Sequence, residues 1–193
     1  MAGKQAKFIN PREVTQILDL IQKTRYPFRN EVMFLLSVKA GLRSKEICNL
    51  QWSMVTNASG ELIDFLKMPD NATKGKSGRT IPLNSMLKSS IARLRTLGDS
   101  LPHEYLIKSE RGHKMCADSV CLALKNIYLA LRLDGCSSHS GRVTFINNAM
   151  CAITKAGGHV DDVRELAGHA SLNTTMKYLR GNTEAKIKVV DMI

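Results

Sequence analysis

Long apolar runs, paired cysteines and clustered carboxylates are all missing from this chain, and each absence argues against a class of protein. No apolar stretch approaches the roughly 20 residues that a membrane-spanning helix requires. The N-terminus, MAGKQAKFINPREV, carries no apolar signal-peptide core. The five cysteines, Cys48, Cys116, Cys121, Cys136 and Cys151, are odd in number and never spaced CxxC. That argues against a disulfide framework or a zinc site. They read as small core thiols in a reducing compartment, so a cytoplasmic protein with no membrane association is expected. No internal repeat or low-complexity linker breaks the sequence, and no carboxylate cluster suggests a metal. What is abundant is positive charge: 28 Lys+Arg against 17 Asp+Glu, a formal net charge of +11. Such a balance points to a polyanionic partner, nucleic acid before an acidic membrane surface. A hydrophobic content of 44% is enough for a sizeable core, and 193 residues suit one large domain or two small ones.

Helical spacing dominates the patterning. Asn10-Pro11-Arg12-Glu13 is a helix start, with Asn10 as cap, Pro11 in the first turn and Glu13 reaching back. Val14, Ile17, Leu18 and Ile21 follow at helical intervals. A second helix is predicted over Glu31–Ala40 with Gly41 ending it, and a short one over Ser44–Leu50. The period then changes. LIDFLKM and RTIPL read as strands, with Gly75-Lys76-Ser77-Gly78 turning between them. Helices return over Ser85–Leu97, Ala117–Leu131, His139–Lys155, Val160–Ala167 and Leu172–Leu179. The expectation is a single domain over 1–193, mainly α with a small antiparallel sheet (α+β).

Four segments carry polar chemistry that a core would not need. In Ala40-Gly-Leu-Arg-Ser-Lys-Glu46, Arg43 follows the helix stop, where it can be aimed at a ligand, and Glu46 can orient its neighbours. Taken alone, Arg43 is more often an ordinary surface arginine. In Thr73-Lys-Gly-Lys-Ser-Gly-Arg-Thr-Ile-Pro-Leu83, a glycine-flanked basic hairpin can bring a lysine to a phosphate backbone, and Lys74 and Lys76 both qualify. A solvated lysine-rich turn fits equally, and the spacing is not that of a phosphate-binding P-loop. In Ser138-His-Ser-Gly-Arg-Val-Thr-Phe-Ile146, His139 and Arg142 lie three apart at a helix start, where an anion is favoured. In Glu165–Leu179, Ser171 can cap a helix whose Leu172, Met176 and Leu179 face the core. Tyr178 falls near its end, nine residues after His169; Tyr26, Tyr105 and Tyr128 would serve equally as core tyrosines.

The order GLRSKE, basic hairpin, HxxR and GHxxxxxTxxY resembles the tyrosine recombinase (phage integrase) family over residues 10–180. The resemblance implies that family's catalytic-domain fold and a site-specific recombinase that cleaves and rejoins DNA through a 3′-phosphotyrosyl link, without metal, cofactor or ATP. By the same resemblance Tyr178 is the nucleophile, Arg43 and Arg142 hold the phosphate, and Lys74 (Lys76 as fallback) protonates the leaving 5′ oxygen. His139 assists proton removal, and His169 bonds a non-bridging oxygen. Lys45, Lys76, Arg79 and Lys177 are the flanking basic residues expected to contact DNA. Double-stranded DNA is the implied partner, bound as a homo-oligomer (a tetramer), with accessory DNA-binding factors as a further class. Two departures stand out. Ser140 and Gly141 occupy the interior of HxxR, where the family commonly has an acidic residue and a leucine. No separate N-terminal core-binding domain is expected in this chain either. The tail, about 181–193, is expected on a neighbouring subunit, with folding back on its own domain as the alternative. The rival functions are a non-catalytic DNA-binding relative, a type IB topoisomerase, a metal-dependent nuclease and a basic membrane-surface protein.

Overall fold

A computed structural model describes residues 6–69, 78–98, 100–178 and 190–191 of the chain. Helix α1 (Pro11–Gln22) opens with the capping box read from the sequence: Asn10 accepts from the Glu13 N–H, and Glu13 accepts from the Asn10 N–H. Its apolar stripe buries Ile17 and Ile21. Helix α2 (Pro27–Lys39) starts four residues earlier than the sequence suggested, because Pro27 supplies a preset φ at the first helical position. Nearly every residue from Asn30 to Val38 is buried. A helix apolar on all sides belongs at the centre of a fold, and α2 is packed by α1, α3 (Ser44–Ile47), α4 (Ser85–Arg95), α5 (Ala117–Ala130) and α6 (Ser140–Ile153).

Strands β1 (Phe65–Met68) and β2 (Arg79–Pro82) pair antiparallel, with Leu66 opposite Ile81 and Met68 opposite Arg79. They are shorter than the sequence suggested, and the turn between them, with Lys74 and Lys76, lies outside the described residues. Helices α7 (Val160–Ala167) and α8 (Leu172–Met176) close the chain's described portion against α6 and β2. A small second cluster of Ile146, Met150, Val163 and Ala167 sits between α6 and α7. Among the described residues no helix is long and apolar enough to cross a membrane.

Two expectations are corrected here. Leu172 and Met176 do not face the core: they are 42% and 45% exposed, and α8 instead buries Thr175. Leu179 lies outside the described residues. Nor are the cysteines uniformly core thiols, since only Cys48 is buried while Cys116 and Cys151 are exposed; all five are free.

The glycine inside HxxR has a packing cause. A Cβ on Gly141 would lie 2.2 Å from Ser37 Oγ, 2.8 Å from Ser37 Cβ and 3.0 Å from its backbone carbon. So α2 and α6 meet where no side chain fits. Gly141→Ala is therefore expected to destabilise the fold. Overpacking typically costs about 1–3 kcal/mol, and the better helix propensity of alanine returns at most about 1 kcal/mol. A melting temperature equal to or above that of the parent would remove this account.

Candidate active site

The ends of five helices (α2, α3, α6, α7 and α8) and strand β2 converge on a single cationic site. Gly41 terminates α2 with φ +66°, and Arg43 then stands at the N-cap of α3. Its backbone N–H donates to Glu46 Oε2 at 2.8 Å and its Nη1 to Oε1 at 3.1 Å. Glu46 also takes a two-pronged bond from Arg79 on β2, Nη1 to Oε1 at 3.1 Å and Nη2 to Oε2 at 3.2 Å. Burial alone would push the Glu46 carboxyl up. The Arg79 bond and charge outweigh it, with help from Arg43, and hold the group below the ordinary carboxylate range.

Arg142, in the first turn of α6, is only 3% exposed. Its Nη1 donates to the Gly41 carbonyl at 2.6 Å and its Nη2 to the Ala167 carbonyl at 2.7 Å. Among the described residues it makes no ion pair with a carboxylate. Burial, and then the neighbouring Arg43 charge, lower its pKa to about 10, so it remains a cation at neutral pH. A buried guanidinium held by carbonyls, with no carboxylate salt bridge, is well suited to an incoming anion.

Gly168 ends α7 in the left-handed region at φ +62°, and a Cβ there would meet Arg79 Nη1 at 2.5 Å. This turn delivers His169, which is buried, with Nδ1 2.9 Å from Thr175 Oγ1. Burial, then the charges of Arg142, Arg43 and Arg79, push its pKa down to about 4. His169 is therefore neutral at pH 7. When the Thr175 hydroxyl donates to Nδ1, the one ring proton sits on Nε2 as a donor. Tyr178 stacks on the same ring, with centroids 5.7 Å apart and planes at 17°. Its half-buried side chain rests on the α6–α7 apolar cluster.

The lowered pKa of His169 has a measurable consequence. Its folded value lies below the value of about 6.5 expected in an unfolded chain. Stability from this group is thus present above that pH and is lost as pH falls from about 6.5 towards 4. In an NMR titration its ring signals should move only near pH 4. A midpoint near 6.5 would contradict the described burial.

Arg43, Arg142, His169 and Tyr178 are thus brought together. His139 is the N-cap of α6 and lies exposed, its ring without a hydrogen-bond partner among the described residues, whereas Arg142 points into the protein. Lys45 and Lys177 are exposed; Lys74 and Lys76 lie outside the described residues. Arg79, read from the sequence as a DNA contact, is instead turned inward. Its side chain is 7% exposed, and Nε donates to the Leu166 carbonyl at 3.1 Å. Strand parity carried that signal, since Arg79 shares its face with buried Ile81. Thr175 was not singled out as a site residue either, although its place three before Tyr178 in TxxY was visible. A cleft of about 710 Å³ opens beside His169, bounded by Arg79, Thr80, Arg164 and Glu165.

The phage integrase family model matches residues 7–185. The chain is 30% identical over 184 residues to the tyrosine recombinase XerA of Thermococcus onnurineus, covering 92% of this chain and 59% of that protein. It is 27% identical over 195 residues to XerC of Myxococcus xanthus, covering 96% and 61% respectively. The chain therefore spans about three fifths of these relatives' length. Among solved structures, it resembles the Tn1549 transposon integrase in complex with circular intermediate DNA (TM-score 0.74, 14% identity, 100% of this chain and 69% of that one). It also resembles the XerA recombinase (TM-score 0.73, 17% identity, 100% and 65%). These two establish a shared fold.

Proposed function

The chain belongs to the phage integrase family, and on that premise we propose that it breaks and rejoins duplex DNA through a covalent link to Tyr178. One observation supports this most directly: Arg142, a buried cation with no carboxylate salt bridge among the described residues, sits with Arg43 beside the stacked His169–Tyr178 pair.

In this reading the scissile phosphate lies against the two guanidinium groups. Tyr178 Oη attacks phosphorus, the bond to the 5′ oxygen breaks, and a 3′-phosphotyrosyl ester remains. The phenolic hydroxyl must give up its proton as the bond forms, so a base has to take it up. His139, exposed at the N-cap of α6, takes that role, and Lys74 delivers a proton to the departing 5′ oxygen. Charge building on the non-bridging oxygens is met by the fixed donors of Arg43 and Arg142 and by His169 Nε2–H. The arginines thereby supply the electrostatic stabilisation that nucleases often draw from a metal. The ester conserves the bond energy, so a 5′ hydroxyl from another duplex reverses the step without ATP.

Solved relatives include complexes with DNA, among them a lambda integrase dimer on its core site. By analogy the partner here is double-stranded DNA, engaged as a homo-oligomer in the cytoplasm. A tetramer and accessory DNA-binding factors belong to the same reading. The test is covalent trapping: a nicked duplex that loses its 5′ hydroxyl fragment after cleavage should leave a protein–DNA adduct, and peptide mapping should locate it at Tyr178. Cleavage without an adduct, or an adduct elsewhere, would overturn the proposal.

A further inference from the structure

We infer that Arg79 is a positioning residue that balances the charge of Glu46, so that the Arg43 guanidinium stays available to an anion. The inference rests on the reading that Arg43 faces the phosphate. Glu46 is nearly sealed from solvent, with a side chain 3% exposed, whereas the Arg43 side chain is 32% exposed. Two guanidinium groups share the one carboxylate. Arg79 takes both oxygens, and Arg43 gives it a single Nη1 bond. Among the described residues, the Nε and Nη2 of Arg43 donate to no protein acceptor. The three groups together carry one net positive charge.

Without Arg79 the count changes. Arg43 and Glu46 would then form a neutral pair, and only the Arg43 backbone N–H on Oε2 would restrain the carboxylate from a two-pronged grip on the Arg43 guanidinium. A planar, bidentate pair of that kind is the geometry a phosphate would otherwise receive. Arg79 is itself fixed from a third side, through Nε on the Leu166 carbonyl at the end of α7, and Gly168 leaves room for its guanidinium. It therefore ties β2, α3 and α7 into one frame around Glu46. Its Nε, Nη1 and Nη2 are all engaged by protein acceptors, two of them by the Glu46 carboxylate, so its influence runs through Glu46 and Arg43.

A simple structural staple would make the same contacts, and a double mutant separates the two roles. Single-turnover cleavage should be measured at saturating DNA, with DNA affinity and melting temperature recorded for each variant. Arg79→Met is expected to slow cleavage by about a hundredfold, the scale of losing one preorganised charged donor. Arg79→Met combined with Glu46→Gln removes the unbalanced carboxylate and should cleave at least about tenfold faster than Arg79→Met alone. A staple predicts the reverse, since the double variant lacks more bonds; a double variant no faster than the single overturns the inference. Should Arg79→Met fail to fold, Arg79→Lys against Arg79→Gln decides. Faster cleavage by the lysine variant, by about tenfold, supports charge balance, and equal rates refute it. Arg43→Ala keeps the two failures distinct. Normal cleavage in that variant defeats the reading of the site. Lost cleavage there, together with an unrescued double mutant, defeats only the role of Arg79.

Discussion

Tyr178→Phe is expected to abolish the covalent protein–DNA adduct completely while leaving the folded protein and its DNA affinity nearly unchanged. Only the hydroxyl is removed. The ring keeps its stack on His169, 5.7 Å between centroids, and its contact with the apolar cluster of α6 and α7. Loss of an oxygen from a half-buried ring changes stability by no more than about 1 kcal/mol. In the proposed reaction Tyr178 Oη is the attacking atom, so its loss removes the adduct. Tyr128, the other tyrosine deep in the fold, is 1% exposed, with burial holding its hydroxyl far above the ordinary tyrosine pKa. It is thus a poor substitute. Gel-resolved adduct from the phenylalanine variant would move the nucleophile elsewhere.

Arg142→Ala should produce the second-largest effect, and through two routes at once. The transition state loses a fixed bidentate cation, a change that costs about a hundredfold to a thousandfold in cleavage rate. The fold loses a brace between α2 and α7, because the Gly41 and Ala167 carbonyls both accept from this side chain. Leaving a buried acceptor unpaired costs about 1–3 kcal/mol, so melting temperature should fall alongside activity. Arg142→Lys keeps the charge, yet a single ammonium has no planar fork to serve two carbonyls and a phosphate together. It should retain more stability than activity. Cleavage in the alanine variant within about threefold of the parent would remove Arg142 from the site.

What the sequence made visible was local. The Asn10–Glu13 cap, the Gly41 stop and the bounds of α7 each depend on residues within one turn of one another, and each appears in the structure as read. The order of short motifs pointed to the residues that now stand together: Arg43, Arg142, His169 and Tyr178. What stayed hidden was long-range. Arg79 meets Glu46 across 33 positions and the Leu166 carbonyl across 87, so in the sequence it read as a flanking DNA contact. Gly141 read only as a departure inside HxxR, whereas in the structure Ser37 of α2 occupies the space a side chain would need. In α8 a helix of five residues is too short for an apolar stripe to decide its orientation. The His169–Thr175 bond lies on its buried side, while Leu172 and Met176 remain outside.

The end of α7 ties the candidate site to the fold in a way the sequence did not foretell. A helix leaves its last four carbonyls without intrahelical donors. Here Arg164 and Glu165 receive backbone N–H groups from His169 and Gly168, and Leu166 and Ala167 receive the guanidinium groups of Arg79 and Arg142. The helix terminus is capped, in part, by two cations of the candidate site. Amide exchange in the final turn of α7 thus becomes a remote gauge of whether those side chains are seated, readable on protein alone, before any nucleic acid is added.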